Sequence, residues 1–173
     1  MEMKKNNKGF SLVELIIVIA IMAVLMAVLA PQFLRYIERS RLQSDNSAIA
    51  EIARAMEIAA ADEAVTAQIV GTGTAGVVYT GAGAANATKT FTFATSALGD
   101  EVSATVGATV QLDSNTYTTA AAGPSIRAVS NGGVVTVEIQ NFYNEPIADG
   151  GALITAWTRV DAMNTAAPAP AGP

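Results

Sequence analysis

An apolar run near the N-terminus, from Leu15 to Leu34, constrains this chain more than any other feature. It is broken only by Pro31 and Gln32. As α-helix, twenty residues of this kind cover roughly 30 Å, which is the hydrocarbon thickness of a bilayer. The run can therefore span a membrane as a single helix.

The helical pattern continues past this run but becomes amphipathic. The sequence predicts one helix from Phe10 to about Asp62, and the apolar stripe of its second half requires a domain to lie on. The apolar positions that recur at steps of three, four or seven are Leu42, Ile49, Ile52, Ala53, Met56 and Ala60. The charged residues that we expect to point away from this stripe are Arg39, Asp45, Glu51, Arg54 and Glu57.

Strand signals follow the helix. Residues 65–90 are rich in Gly, Ala and Thr and predict a surface connection, in which residues 77–79 form the only strand. Phe91 and Phe93 share one face of a further strand.

Two longer stretches also predict strands. Residues 102–112 alternate apolar and polar side chains, which favours a half-buried strand with a bulge at Gly107. Residues 113–115 are expected to form a turn. A last strand is predicted over residues 153–160, and it carries Trp157.

The dipeptide Asn131-Gly132 predicts a hairpin, because it favours the positive φ values of a type I′ turn. The flanking strands are residues 125–130 and 133–140. A two-residue loop there places Ile126 opposite Val137, Ala128 opposite Val135 and, diagonally on the other face, Arg127 near Glu138. These elements predict an α+β fold, in which a long N-terminal helix packs on a C-terminal antiparallel sheet.

Composition excludes several classes of function. The chain contains no His and no Cys, so imidazole and thiol nucleophiles, bases and metal ligands are absent. The acidic residues weighed for calcium lack metal-loop spacing: Asp100, Glu101, Asp113 and Asp149. We expect no enzymatic activity, no metal and no cofactor. A net charge of −5 argues against nucleic-acid binding by the isolated subunit.

The residues around the start of the helix resemble a known processing site. Lys4, Lys5 and Lys8 lead to Gly9, which is followed by Phe10-Ser11-Leu12-Val13-Glu14-Leu15-Ile16. This stretch resembles the N-terminal segment of type IV pilins and of their relatives, the pseudopilins. The resemblance implies that a prepilin peptidase cuts after Gly9 and methylates the new N-terminal amine of Phe10.

An ordinary secretory signal peptide, cut near Ala30, is the alternative to this interpretation. Glu14 would then lie inside the apolar region and Pro31 would follow the cut, and both oppose it. Orientation is not decided by charge, since three Lys before the span face Arg35, Arg39 and Arg41 after it. The resemblance implies an N-terminus on the cytoplasmic side.

With the resemblance, the chain divides into six parts. They are a leader at 1–9, a transmembrane and filament-core helix at 10–34, its amphipathic second half at 35–63, a variable loop at 64–90, an antiparallel sheet domain at 91–162 and a flexible tail at 163–173.

Glu14 invites two interpretations. It lies four residues after Phe10, so its carboxylate and the freed amine share one helix face. In a bundle without water, correct axial register would pair Glu14 of one subunit with the amine of another, and the resemblance implies this assembly role. The simpler alternative is a first-turn carboxylate that complements the helix dipole and reaches water.

Pro31 cannot donate a hydrogen bond to the carbonyl of Ala27. It is either a tolerated kink in a membrane helix or a weak point at which the helix bends or locally melts. By resemblance, melting accompanies departure from the bilayer.

The first hypothesis is a structural protein, a major pilin held in the cytoplasmic membrane and then polymerised into an extracellular filament. The implied partners are further copies of the chain, the prepilin peptidase, membrane lipid and an assembly platform with a motor ATPase. A pilus would serve adhesion, twitching motility or DNA uptake. The alternatives are a pseudopilin of a secretion or competence apparatus, and a single-pass binding module that never polymerises.

Overall fold

The computed structural model describes residues 11–72, 76–80, 89–93, 96–119, 123–131 and 134–165. Gly9 and Phe10, and with them the predicted cleavage site, lie outside the described residues, as do Gly132 and residues 166–173. The chain forms two compact units, residues 1–37 and residues 38–173.

One helix, α1, spans Leu12–Ala59 and continues without a break through Pro31. Its 48 residues confirm the predicted single helix and exceed by more than twofold the roughly 20 residues that a bilayer needs. In the first unit every described side chain from Ser11 to Tyr36 is exposed.

In the second unit α1 buries one stripe against the globular core. Leu42, Ile49 and Met56 are at most 1% exposed, which confirms the predicted apolar face. Asp45 is only 3% exposed, so the prediction that it points away from the stripe is wrong. It lies three residues after Leu42 and four before Ile49, and this spacing places it on the buried face.

The main sheet has four antiparallel strands in the order β1-β4-β5-β6. Their bounds are Val77–Thr80 for β1, Ser125–Asn131 for β4, Val134–Gln140 for β5 and Thr158–Arg159 for β6. A second, two-stranded sheet pairs β2, Lys89–Thr92, with β3, Thr109–Leu112. Phe91 and Phe93 are both buried, which agrees with the prediction that they share one face. The architecture confirms the α+β class.

The β4–β5 hairpin exists, but its register differs from the predicted one by two residues. Asn131 pairs with Val134, Ala128 with Val137 and Ile126 with Ile139. The connecting residues are therefore 132 and 133 instead of 131 and 132. Because side chains alternate with period two, this shift keeps the same residues on the buried face. It also makes Arg127 and Glu138 direct neighbours.

Two helices replace predicted loop and strand. Within the expected connection, α2 occupies Glu63–Gly71, and the side chain of Asp62 caps its N-terminus. A further helix, α3, occupies Ala97–Val106 and is capped by Ser96, so it includes residues 102–106 of the expected strand over 102–112. Leu98 and Val102 are four residues apart and both fully buried, and this spacing is helical.

The end of α3 at Gly107 explains why β3 begins only after it. Gly107 has a φ of 93°, a conformation that favours glycine, and it is followed by β3. A one-turn helix, α4, occupies Asn115–Thr119 and includes the last residue of the turn predicted over residues 113–115.

The predicted last strand is reduced to β6 and one isolated bridge between Ile154 and Phe142. A 3₁₀ turn, Val160–Thr165, ends it. Trp157 lies just before β6, where its ring stacks 4.1 Å below the guanidinium carbon of Arg127.

Candidate functional site: the exposed apolar helix

The first half of α1 exposes apolar side chains around its whole circumference. Leu12 is 74% exposed, Leu25 56% and Leu34 66%. The most apolar 18-residue window of α1 has a mean hydropathy of 3.1, and none of it is buried. Among the described residues, this is the one helix long and apolar enough to cross a membrane. Soluble monomers rarely expose so large an apolar surface, and such a surface is typical of a site that lipid or other protein covers.

Glu14 lies in the first turn of α1, where its Oε2 accepts a hydrogen bond of 3.0 Å from the backbone N–H of Ser11. This contact is one half of a capping box, in which the third helical residue reaches back to the residue that caps the helix. The carboxylate is thus held on the exposed surface of the first turn. Phe10, which the sequence places on the same face, lies outside the described residues.

Pro31 lies within the exposed apolar half, among fully helical neighbours. Its ring nitrogen carries no hydrogen, so the helix has one backbone donor fewer at this point.

The comparisons with known proteins match this end of the chain. The family model described as the prokaryotic N-terminal methylation motif matches residues 4–30. This match includes Gly9, Phe10 and Glu14. These are among the residues on which the resemblance to type IV pilins rests.

Two named relatives share part of their sequence with this chain. The chain is 36% identical over 69 residues to the prepilin peptidase-dependent protein A of Clostridium perfringens, which is 39% of this chain and 49% of the relative. It is 40% identical over 60 residues to the type IV major fimbrial protein FimA of Dichelobacter nodosus, which is 35% of this chain and 38% of FimA. The chain thus spans about half the length of these relatives or less. No solved structure gives a significant match.

Sequence reasoning missed a polar contact at the point where α1 enters the globular unit. Residues 113–117, which we call the strap, cross α1 at Glu38 and Asp45. Glu38 Oε1 accepts hydrogen bonds from Ser114 Oγ at 2.8 Å, from the Thr116 N–H at 2.8 Å and from Thr116 Oγ1 at 3.1 Å.

Asp45 completes this contact with both of its oxygens. The backbone N–H of Asp113 donates to Oδ1 at 2.9 Å, and that of Ser114 donates to Oδ2 at 2.8 Å. At the end of the strap, the hydroxyl of Tyr117 donates to Asn46 Oδ1 at 2.9 Å. The position of Asp45 on the apolar stripe could have revealed its burial. No local sequence signal indicates its hydrogen-bond partners.

The two carboxyl groups respond differently to this environment. Burial would raise the pKa of Glu38, but the hydrogen bonds from Thr116 and Ser114 outweigh it and hold the pKa below its usual value. Burial raises the pKa of Asp45, with help from the charges of Asp113 and Glu38, and its two backbone hydrogen bonds offset only part of this rise. Burial also raises the pKa of Tyr117, which keeps its hydroxyl a donor.

Two of the four acidic residues weighed for calcium contact other side chains. Asp149 forms an ion pair of 2.8 Å with Arg39, and Asp113 accepts a hydrogen bond of 3.3 Å from Gln111. Asp100 and Glu101 both lie on α3. Across the described ranges, no three acidic side chains form a group that could hold a metal ion.

Proposed function

We propose that the chain is a subunit, the major pilin, of an extracellular type IV pilus. The observation that carries this proposal is the combination of the methylation motif at residues 4–30 with an apolar helix exposed on all sides. The relatives named as fimbrial protein and as prepilin peptidase-dependent protein support it. The globular unit, whose core is complete within itself, supplies the outer surface of such a filament.

The apolar half of α1 is proposed to serve twice. In the precursor it lies in the cytoplasmic membrane with the N-terminus inside, and in the pilus it packs against further copies of itself. Transfer from lipid to protein brings little net hydrophobic gain, because lipid tails are as apolar as leucine. Packing and an energy-consuming machine must therefore drive assembly, which implies a membrane platform and a motor ATPase as partners.

Processing is proposed to precede assembly. A prepilin peptidase cuts between Gly9 and Phe10 and methylates the Phe10 amine. The new amine brings a positive charge to within one turn of Glu14, and the two charges pair between neighbouring copies. A buried charge without a partner is strongly disfavoured, so wrong axial registers are rejected.

The test is electron microscopy of sheared surface material, with mass spectrometry of its main protein. We expect thin filaments whose subunit begins at N-methylated Phe10. A protein found only in the membrane, with residues 1–9 still attached, would refute the proposal. Short filaments confined to a secretion or competence apparatus would instead establish a pseudopilin, and a processed but monomeric protein would establish the membrane-anchored binding module.

The pilus is proposed to serve adhesion, twitching motility or DNA uptake. Deletion of the gene that encodes the chain, followed by assays of surface attachment, spreading and transformation, shows which of these functions depends on it. We expect loss of at least one of the three.

A further inference from the structure

Force on the outer surface of a pilus must reach neighbouring subunits through α1. This statement rests on the proposed function, in which residues 12–34 join the copies. The globular unit holds its own part of α1, residues 38–59, by side-chain contacts. Those contacts decide how well the unit withstands a pull on the helix.

Most of these contacts are apolar. Ile49, Ile52 and Met56 are fully buried, and they attach the far end of α1 by hydrophobic burial, which is not directional. The near end is different. There Glu38 and Asp45 lie seven residues apart, hence on one helix face, and both bind the strap.

The strap is itself fixed at both ends. Leu112, the last residue of β3, is 1% exposed, and Tyr117 is fully buried. Between them, the two carboxylates accept five hydrogen bonds from Asp113, Ser114 and Thr116. Hydrogen bonds to charged groups are directional and about twice as strong as neutral ones. A sliding movement of α1 stretches all five together.

We propose that the strap is the mechanical coupling between α1 and the globular unit. Tension along the helix enters the unit at Glu38 and Asp45, passes through the strap to β3 and Tyr117, and spares the apolar contacts farther along α1. The coupling sits at the first residue of the globular unit, where the load arrives.

Single-molecule pulling on the full chain in detergent micelles tests this coupling. The chain has no natural Cys, so two introduced thiols are the only attachment points. In the first geometry they replace Tyr36, 72% exposed, and Val134, 64% exposed. In the second they replace Ile58, 69% exposed at the far end of α1, and again Val134. The strap is loaded in the first geometry only.

The variant that weakens the coupling is Glu38→Gln with Asp45→Asn. In the first geometry its lifetime at constant force is expected to fall on the order of tenfold, and in the second it stays within about twofold of the parent. Glu138→Gln is the matched control, because it weakens the ion pair with Arg127 in the sheet. Its effect is expected to be the same in both geometries.

Two results overturn the proposal: equal shortening in both geometries, which reduces the strap to a general source of stability, or no shortening in the first. If the double variant is unfolded before load is applied, Glu38→Gln alone replaces it, with a smaller loss again confined to the first geometry. The pulling result does not require filaments, so a failure to form filaments would refute the proposed function separately.

Discussion

At the scale of single residues, Glu14 stands out because it places a charge at the start of the apolar half of α1. Its contact with the Ser11 N–H satisfies one carboxylate oxygen in an isolated copy. In a water-free bundle the remaining charge requires a cation, and the proposed Phe10 amine supplies it. Breaking such a pair by removing one partner costs about 3 to 5 kcal/mol.

Glu14→Ala is therefore expected to leave the subunit synthesised, cleaved and membrane-bound while filaments disappear. Immunoblotting of membrane and sheared fractions measures the subunit and its cleavage, and electron microscopy measures the filaments. Glu57→Ala, which removes an exposed acid elsewhere on α1, is the control and keeps filaments. Filaments of normal number in Glu14→Ala would contradict the pairing.

Gly151 is a second residue whose identity is dictated by its surroundings. A Cβ at this position would overlap the backbone carbonyl of Glu145. Gly151→Ala is expected to lower the free energy of unfolding by about 2 to 4 kcal/mol. Urea titration followed by fluorescence of Trp157, the single tryptophan, measures it. Gly71→Ala, with nothing within 4 Å of its Cβ, is expected to be neutral or slightly stabilising.

At the scale of elements, the contact between strap and α1 makes stability depend on pH. The pKa of Glu38 is lower in the folded chain than its usual value. Its stabilising contribution is thus present above the usual pKa and is lost as pH falls through the folded pKa. Asp45 has the opposite sign, because its pKa is raised: the pH-dependent part of its contribution is present at low pH and is lost as pH rises through the folded pKa.

Glu38→Gln is expected to cost about 1 to 2 kcal/mol at neutral pH, since the amide keeps one acceptor but loses the charge. The difference from the parent is expected to shrink on acidification and to vanish below the folded pKa of Glu38. Urea titrations at several pH values measure it, with the exposed Glu57→Gln as control. A difference that stays constant with pH would show that the charge contributes nothing.

At the scale of the whole molecule, the parts predicted correctly are those that depend on local periodicity. The helix α1, its apolar stripe at Leu42, Ile49 and Met56, and the buried face of the hairpin all follow from steps of 3.6 or two residues. The register of the hairpin failed because residues 131–133 offer two adjacent glycine turns, and a shift of two residues leaves the buried face unchanged.

The other failed predictions have two causes, a local one at α3 and a distant one at Asp45. Residues 102–106 alternate apolar and polar side chains as a strand does, but the stretch is too short to exclude a helix. The N-cap at Ser96 favours the helix α3. The strap reaches Asp45 from 68 and 69 residues away through backbone N–H groups, which leave no pattern in the sequence. Only the place of Asp45 within an apolar stripe hinted at its burial.

The chain divides into two units between residues 37 and 38, and we predict that the second unit folds without the first. A chain that begins at Glu38 keeps the whole buried stripe of α1 and the strap contacts, and it lacks the exposed apolar half. We expect it to fold as a monomer in water without detergent, as measured by size-exclusion chromatography and Trp157 fluorescence. A chain that begins at Ile49 loses Leu42, Asp45 and Asn46 from the core, and we expect it to unfold. Aggregation of the longer fragment, or equal stability of the two, would show that the globular unit does not end where the strap crosses α1.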